Sequence, residues 1–481
     1  MATNNGDLSD DETQISKNIA PSKGQAKGLQ KSPTFEPASK FESLGNNDPQ
    51  ENDPQESHNH FLNSQIINVS EQKQAKHQED FDLFQRELGD SISQERRLQT
   101  KQSITQSKEH SEVSFVGHFE LDHTDPSSLL ETSSMVLDGS IFSGTESISA
   151  ELGIEIFRLM ARSRALEERT IKMSKSGEGI FWVGGPGEEA FNICLGLQVY
   201  KGQGPTYDYL HLHYRSAAIL LALGMPMQDH LRQMAMTRTD RHSRGRNFVG
   251  HYAIPEWNVV PISSVIEVQY TMAPGTAIMQ NRFGGNGISI VSGGDAGTAE
   301  GDFTSCMVWS TRPNNQLPVL MLVTNNGYGI STPAKSQHGE TNISDRGGPF
   351  GIVSETVNGN DPVASWHAIK RAMTYVRTER KPYLLEALVS RLHGHSSSSG
   401  AARVSSEPDC LFLFEQKLIQ AGVLDAASAD MIIHEAYEEA DRAVEEIIHE
   451  AAPLPEDVEK FTYAPSNVDF IYPEDYTGLP I

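Results

Sequence analysis

Apolar residues are unevenly spread along this chain, and the change falls near residue 140. Before it, Ser, Gln, Glu, Asp, Asn and Lys dominate, aromatics are few, and NNDPQENDPQES nearly repeats itself. Such a stretch buries too little apolar surface to offset its chain entropy, so residues 1–140 are expected to be an acidic, disordered arm. Within it, FDLFQRELGDSISQERR (81–97) has the spacing of a short amphipathic helix. Residues 141–481 read as one globular domain ending in a helical tail. Leu152, Ile156, Leu159, Met160 and Leu166 recur at helical spacing. PGEEAFNICLGLQVY, AAILLALG, MQDHLRQMAM and the stretch after VVPISS read as further helices. PVASWHAIKRAMTYVRTE is a helix with Asp361 as N-cap and Pro362 in its first turn.

Between these helices lie short apolar runs: TYDYLHLHYRS, ISIVSGGD, LPVLMLVTNNGYGI and PYLLEALVSRL. The last three read as buried strands closed by glycines or polar residues. Buried strands alternating with amphipathic helices predict an α/β fold, a mainly parallel sheet with helices on both faces. Ligands of such sheets bind at the carboxyl ends of the strands. HYRS, GGDAG, TNNGYG and RLHGHS all stand at such ends.

Composition narrows the function. The 481 residues carry a net charge of −25, with 37% hydrophobic and 21% charged positions. That charge argues against nucleic-acid binding, which draws on Lys and Arg to neutralise phosphates. Cys194, Cys306 and Cys410 are far apart and form no CxxC pair, so neither disulfides nor a cysteine metal site is expected. No basic segment leading into an apolar run opens the chain, and no run of about 18 apolar residues follows. A cytoplasmic protein without membrane contact is therefore expected.

The chemistry gathers in GGDAGTAEGDF and TNNGYGIST. Asp295 follows a strand among Gly293, Gly294 and Gly297, which let backbone come close to a bulky anion. The Asp295 carboxylate, the Asn326 amide oxygen and a backbone carbonyl are hard oxygen ligands, which suit Mg²⁺ completed by phosphates and water. A helix opening after Gly301 would turn its positive end toward such an anion. Taken singly, each segment is equally well a strand-end turn.

Together, a GD at Gly294, 28 residues between Ala296 and Asn325, and then NN are similar to the signature of thiamine diphosphate enzymes. TAEGDF and NNGYGIST resemble the E1 alpha subunits of 2-oxo acid dehydrogenases, the branched-chain members above all. HYRS, ISSVIEVQ and RLHGHSSSS resemble further motifs of that family in the same order, from about Ile148 to Leu424.

The resemblance implies a thiamine-diphosphate-binding fold and a set of roles. Asp295, Asn326 and the Tyr328 carbonyl would bind Mg²⁺, while Gly294, Ala296 and Gly297 would lie along the cofactor. Tyr214, Arg215 and Arg391 would hold the diphosphate, a task that suits the planar fork of arginine. Ser264 and Ile266 would line the pyrimidine. His395 would face the reacting carbon as the catalytic histidine. Ser396 aligns with a regulatory phosphoserine, and His251 in the basic stretch RTDRHSRGRNFVGHY matches a histidine at the cofactor mouth.

Some positions depart from the family. Ala296 and Gly297 reverse the usual Gly-Ala order, His213 replaces glutamine, Ser390 replaces tyrosine and Ser399 replaces aspartate. Val268 replaces a threonine that helps hold a structural K⁺, so the resemblance leaves that ion open. The resemblance further implies decarboxylation of a 2-oxo acid and reductive acylation of a lipoyl group on an E2 partner. It also implies an α2β2 assembly whose catalytic glutamate comes from a beta-type subunit. Other readings are a pyruvate or acetoin dehydrogenase E1 alpha subunit and a non-catalytic scaffold.

Overall fold

The computed structural model describes residues 140–404, 406–460 and 462. The expected acidic arm and its 81–97 helix lie outside the described residues. A short antiparallel hairpin, β1 (Ile141–Ser143) and β2 (Glu146–Ile148), leads into α1 (Ala150–Ser176). The Ser149 hydroxyl accepts the Leu152 N–H at the start of α1, and Gly177 ends it at φ 81°. A residue at positive φ is the usual end of a helix, and glycine takes it without strain. Next come α2 (Glu189–Gly196), β3 (Tyr209–His211), α3 (Ala217–Ala222), α4 (Met227–Met234) and α5 (Val268–Arg282). Then β4 (Ser289–Gly294), α6 (Gly301–Ser310) and β5 (Val319–Asn325) form one βαβ unit.

After β5, the two-residue strands β6 (Tyr328–Gly329) and β7 (Thr332–Pro333) pair with each other. β8 (Val353–Asn358), α7 (Pro362–Glu379) and β9 (Tyr383–Leu388) form a second βαβ unit. Asp361 caps α7, accepting the Val363 N–H as the sequence predicts. The tail is helical: α8 (Cys410–Gln420), α9 (Ala426–Ile447) and α10 (Pro455–Lys460). α9 packs along α1 through small residues, Ala429, Ala436, Ala440 and Ala443.

The main sheet runs β3-β4-β5-β9-β8 with every pairing parallel. Alternate residues serve two cores, as the two-residue period of a strand requires. Ile290, Leu320, Leu322 and Leu385 join the larger core beside α1, α2, α3 and α7. Val291, Met321, Val323 and Leu384 join a smaller core with Tyr270 and Ala273 of α5 and Phe303 of α6. Helices thus cover both faces, as expected. β8 was not foreseen, because its residues are mostly exposed or half-buried and lack an apolar run. Cys194, Cys306 and Cys410 are buried and unpaired. Among the described residues, no helix is long and apolar enough to cross a membrane.

Candidate active site

Because the five strands are parallel, their carboxyl ends share one edge of the sheet. β3 leads to Tyr214 and Arg215, β4 to Asp295, β5 to Asn326, and β9 to Arg391 and His395. Asp295 is 1% exposed. Burial pushes its carboxyl above the ordinary aspartate range, against the pull of Arg215. Asn325 and Asn326 each turn back on the chain: their side-chain oxygens accept the Gly327 and Tyr328 N–H groups at 3.0 and 3.2 Å. Such Asx turns fix a loop without help from neighbours.

Arg215 is the centre of the floor. It is buried, donates from Nη2 to His395 Nδ1 at 2.9 Å, and lies 3.8 Å from the Glu188 carboxylate. Accepting that bond makes His395 Nδ1 unprotonated, so the neutral ring carries its hydrogen on Nε2. Burial, then Arg215 and Arg391, hold the His395 pKa down to about 4. The Tyr214 ring meets the His395 ring edge-on at 6.4 Å. Arg391 lies over the Tyr328 ring and donates to the Ile330 carbonyl at 2.6 Å. The structure therefore brings Tyr214, Arg215, Asp295, Asn326, Tyr328, Arg391 and His395 together.

Glu188 also belongs here. Its carboxyl accepts from Asn192 Nδ2 at 3.5 Å, and burial, opposed by Arg215, pushes its pKa up to about 7. In the sequence it is one of two glutamates opening a helix and looks like a solvated first-turn acid; nothing in its spacing marks it for burial.

Ser264 and Ile266 occupy a separate loop before α5, where both are exposed. Ser264 Oγ bonds to His251 Nε2, whose Nδ1 faces the Phe248 and Val249 carbonyls at 3.1 and 3.3 Å. His251 thus ties the basic stretch to the Ser264 loop. Glu267 joins that loop to the floor: its carboxyl lies against Gly293 and Gly297 and faces the Gly294 N–H. A Cβ on Gly297 would stand 2.6 Å from Glu267 Cγ. This explains the reversed Ala296–Gly297 order, since Glu267 fills the space an alanine at 297 would need. Ala296 is accommodated in turn by Gly329, where a Cβ would meet Ala296 Cβ at 2.6 Å. Val268 and Gln269 open α5, and the Gln269 side chain donates to the Ser292 carbonyl.

Ser396 is 3% exposed. It shares a reciprocal capping box with Ser399 across the turn Ser397–Ser399, and its backbone bridges Val183. Ser390, in place of tyrosine, accepts from Asn360 Nδ2 at 3.0 Å.

Three buried polar atoms on the floor have no hydrogen-bond partner: Asp295 Oδ2, Asn326 Nδ2 and Arg391 Nε. Orphaned polar atoms are costly in folded proteins, so a cluster of them suits a polar ligand able to pair with them. An arginine donor beside hard oxygen donors fits a metal-bound diphosphate. Among the described residues no group of three His, Cys, Asp or Glu side chains could hold a metal. The set here, one carboxylate with an amide and a carbonyl, is of a different kind.

The dehydrogenase E1 component family matches residues 157–456. The chain belongs to that family. It is 28% identical over 319 residues to the 2-oxoisovalerate dehydrogenase subunit alpha of Bacillus subtilis, covering 65% of this chain and 95% of that one. It is 29% identical over 260 residues to the mitochondrial subunit alpha of Caenorhabditis elegans, and 27% over 253 residues to that of Homo sapiens. Those matches take in 53% of this chain and 58% and 55% of the two relatives, so the chain spans little more than half of their length. As an E1 family chain it carries its strand-end residues in the expected order, and its reversed Ala296–Gly297 pair fits sterically against Glu267 and Gly329.

Proposed function

We propose that this chain is the alpha-type subunit of a branched-chain 2-oxo acid dehydrogenase E1. In that role it binds thiamine diphosphate with Mg²⁺ and serves decarboxylation of the 2-oxo acid and reductive acylation of a lipoyl E2. The observation that carries this reading is the convergence of Arg215, Asp295, Asn326, Arg391 and His395 at four parallel strand ends around orphaned polar atoms. The names of the relatives support the branched-chain substrate.

When bound, thiamine diphosphate supplies the carbanion chemistry, and the protein's part is to place and surround it. Asp295, Asn326 and the Tyr328 carbonyl would hold Mg²⁺. Tyr214, Arg215 and Arg391 would hold the diphosphate, with Gly294, Ala296 and Gly297 alongside, and Ser264 and Ile266 would meet the pyrimidine. His395, kept neutral by burial and then by Arg215 and Arg391, offers Nε2–H as a donor to a substrate carboxylate or a developing negative charge. No glutamate on this chain is assigned to the aminopyrimidine; a beta-type partner supplies it and completes the site. Exposed Ile266, Met272, Val308 and Trp309 on the Ser264 loop, α5 and α6 support such a partner.

The test is thermal stabilisation of the chain, co-expressed with a beta-type E1 subunit, by thiamine diphosphate with Mg²⁺. Wild type should gain several degrees at saturating ligand, as binding to the folded state requires. Asp295→Ala should gain none. No gain in wild type removes the cofactor assignment.

A further inference from the structure

Glu267 occupies a place that a carboxylate ordinarily avoids. It precedes α5 with φ 62°, a left-handed backbone that non-glycine residues adopt at a cost of about 1 kcal/mol. It is 1% exposed, and its Oε2 has no hydrogen-bond partner. Burial, with Asp302, Glu300 and Asp295 nearby, pushes its pKa up to about 8. Two unfavourable features at one residue persist only where the surroundings fix them, and such residues gather at functional sites.

The surroundings are the loop that carries Asp295. The Gly294 N–H faces the Glu267 carboxyl and favours its charged form. A Cβ built on Gly293 would lie 2.7 Å from Glu267 Cδ, and one on Gly297 would lie 2.6 Å from both Cγ and Cδ. The interference reaches beyond the carboxyl tip to the stem, so rotating the end of the side chain would not relieve it. Glu267 and Gly297 are thus fitted to each other in size, across the join between the Ser264 loop and the β4 end. Asp295 lies between the two glycines that the Glu267 side chain touches.

We propose that Glu267 is a positioning residue for the cofactor. Its side chain fills the space above Gly293 and Gly297 and fixes the loop bearing Asp295 against the loop bearing Ser264 and Ile266. The metal-and-diphosphate half and the pyrimidine half of the site are then held at one spacing by a side chain that touches neither ligand. The cofactor part of this inference rests on the function proposed above; the size coupling does not.

The experiment is a double-mutant cycle on the full chain with its beta-type partner: Gly297→Ala, Glu267→Ala, both together, and Glu267→Gln. Two readouts are taken, the Tm without ligand and the dissociation constant for thiamine diphosphate with Mg²⁺. Each single alanine variant should lower the Tm and weaken cofactor binding about tenfold, while KM for the 2-oxo acid moves far less. The double variant should recover most of both losses, because the alanine methyl takes the vacated space. Glu267→Gln, equal in size and still offering an acceptor to Gly294 N–H, should stay within about threefold of wild type. Additive losses in the double variant would overturn the size coupling. Unchanged cofactor affinity in Glu267→Ala would overturn the positioning role. If wild type bound no cofactor, the functional reading would fail, while the ligand-free Tm cycle would still decide the coupling.

Discussion

The floor of the site and the outer face of the α5–α6 pair are built from opposite materials. On the floor, Glu188, Arg215, Glu267 and Asp295 are nearly inaccessible charged residues, and several of their neighbours' polar atoms have no partner. On the outer face, Val265, Ile266, Met272, Val308 and Trp309 are apolar and open to solvent. Each region alone is unfavourable in water. The difference teaches what each suits: the floor a small charged ligand, and the face, on the proposed function, another protein surface.

The comparison can be broken first at Arg215. Arg215→Met removes the cation between Glu188 and Asp295 and the donor to His395. Leaving buried carboxyls unpaired costs about 3 kcal/mol or more, so a large fall in Tm and loss of cofactor binding are expected. A Tm within one degree of wild type, read by calorimetry, would show that the floor does not depend on its central charge. The outer face should respond the other way. Trp309→Glu should change the stability of the chain by less than about 0.5 kcal/mol, as exposed positions do, yet reduce co-purification with the beta-type subunit. Undiminished assembly would mean that this part of the face is not where the partner sits.

The smallest expected effect is in pH. The folded His395 pKa, held down to about 4 by burial and then by Arg215 and Arg391, lies below the unfolded value near 6.5. The folded state therefore binds fewer protons between these values. Its contribution to stability is complete above about pH 6.5 and is lost as pH falls toward 4. In urea unfolding of the ligand-free protein, His395→Asn should lose less stability than wild type between pH 7 and 5. Since the ring is half-buried, the difference should be small; equal slopes would indicate an ordinary, well-hydrated histidine.

Much of this was legible in the sequence because apolar runs and helical periods dictate burial directly. β4, β5, β9 and α7 fall where their patterns place them, and the strand-end rule then gathers the motif residues into one site. β8 escaped because an edge strand with a mostly solvated surface needs no apolar run. Glu188 and Glu267 escaped for a different reason. Acidic residues in a first helical turn and in a polar loop are usually solvated, and only the folded neighbours reveal their burial. The one sequence trace of Glu267 is the reversed order Ala296–Gly297, and its meaning depends on a contact between residues 30 apart in the chain.

The closed turn at Ser396 sets a kinetic condition on any enzyme that would modify it. With the hydroxyl capping its own turn and the backbone bridged to Val183, only molecules with the turn open present a substrate. The apparent dissociation constant of a modifying enzyme is divided by that open fraction, so its affinity falls in proportion. On the proposed function, a ligand that steadied Arg215 and His395 would also hold this neighbouring turn closed and shield the serine. Ser396 would then report on site occupancy, being modified fastest in molecules that are idle.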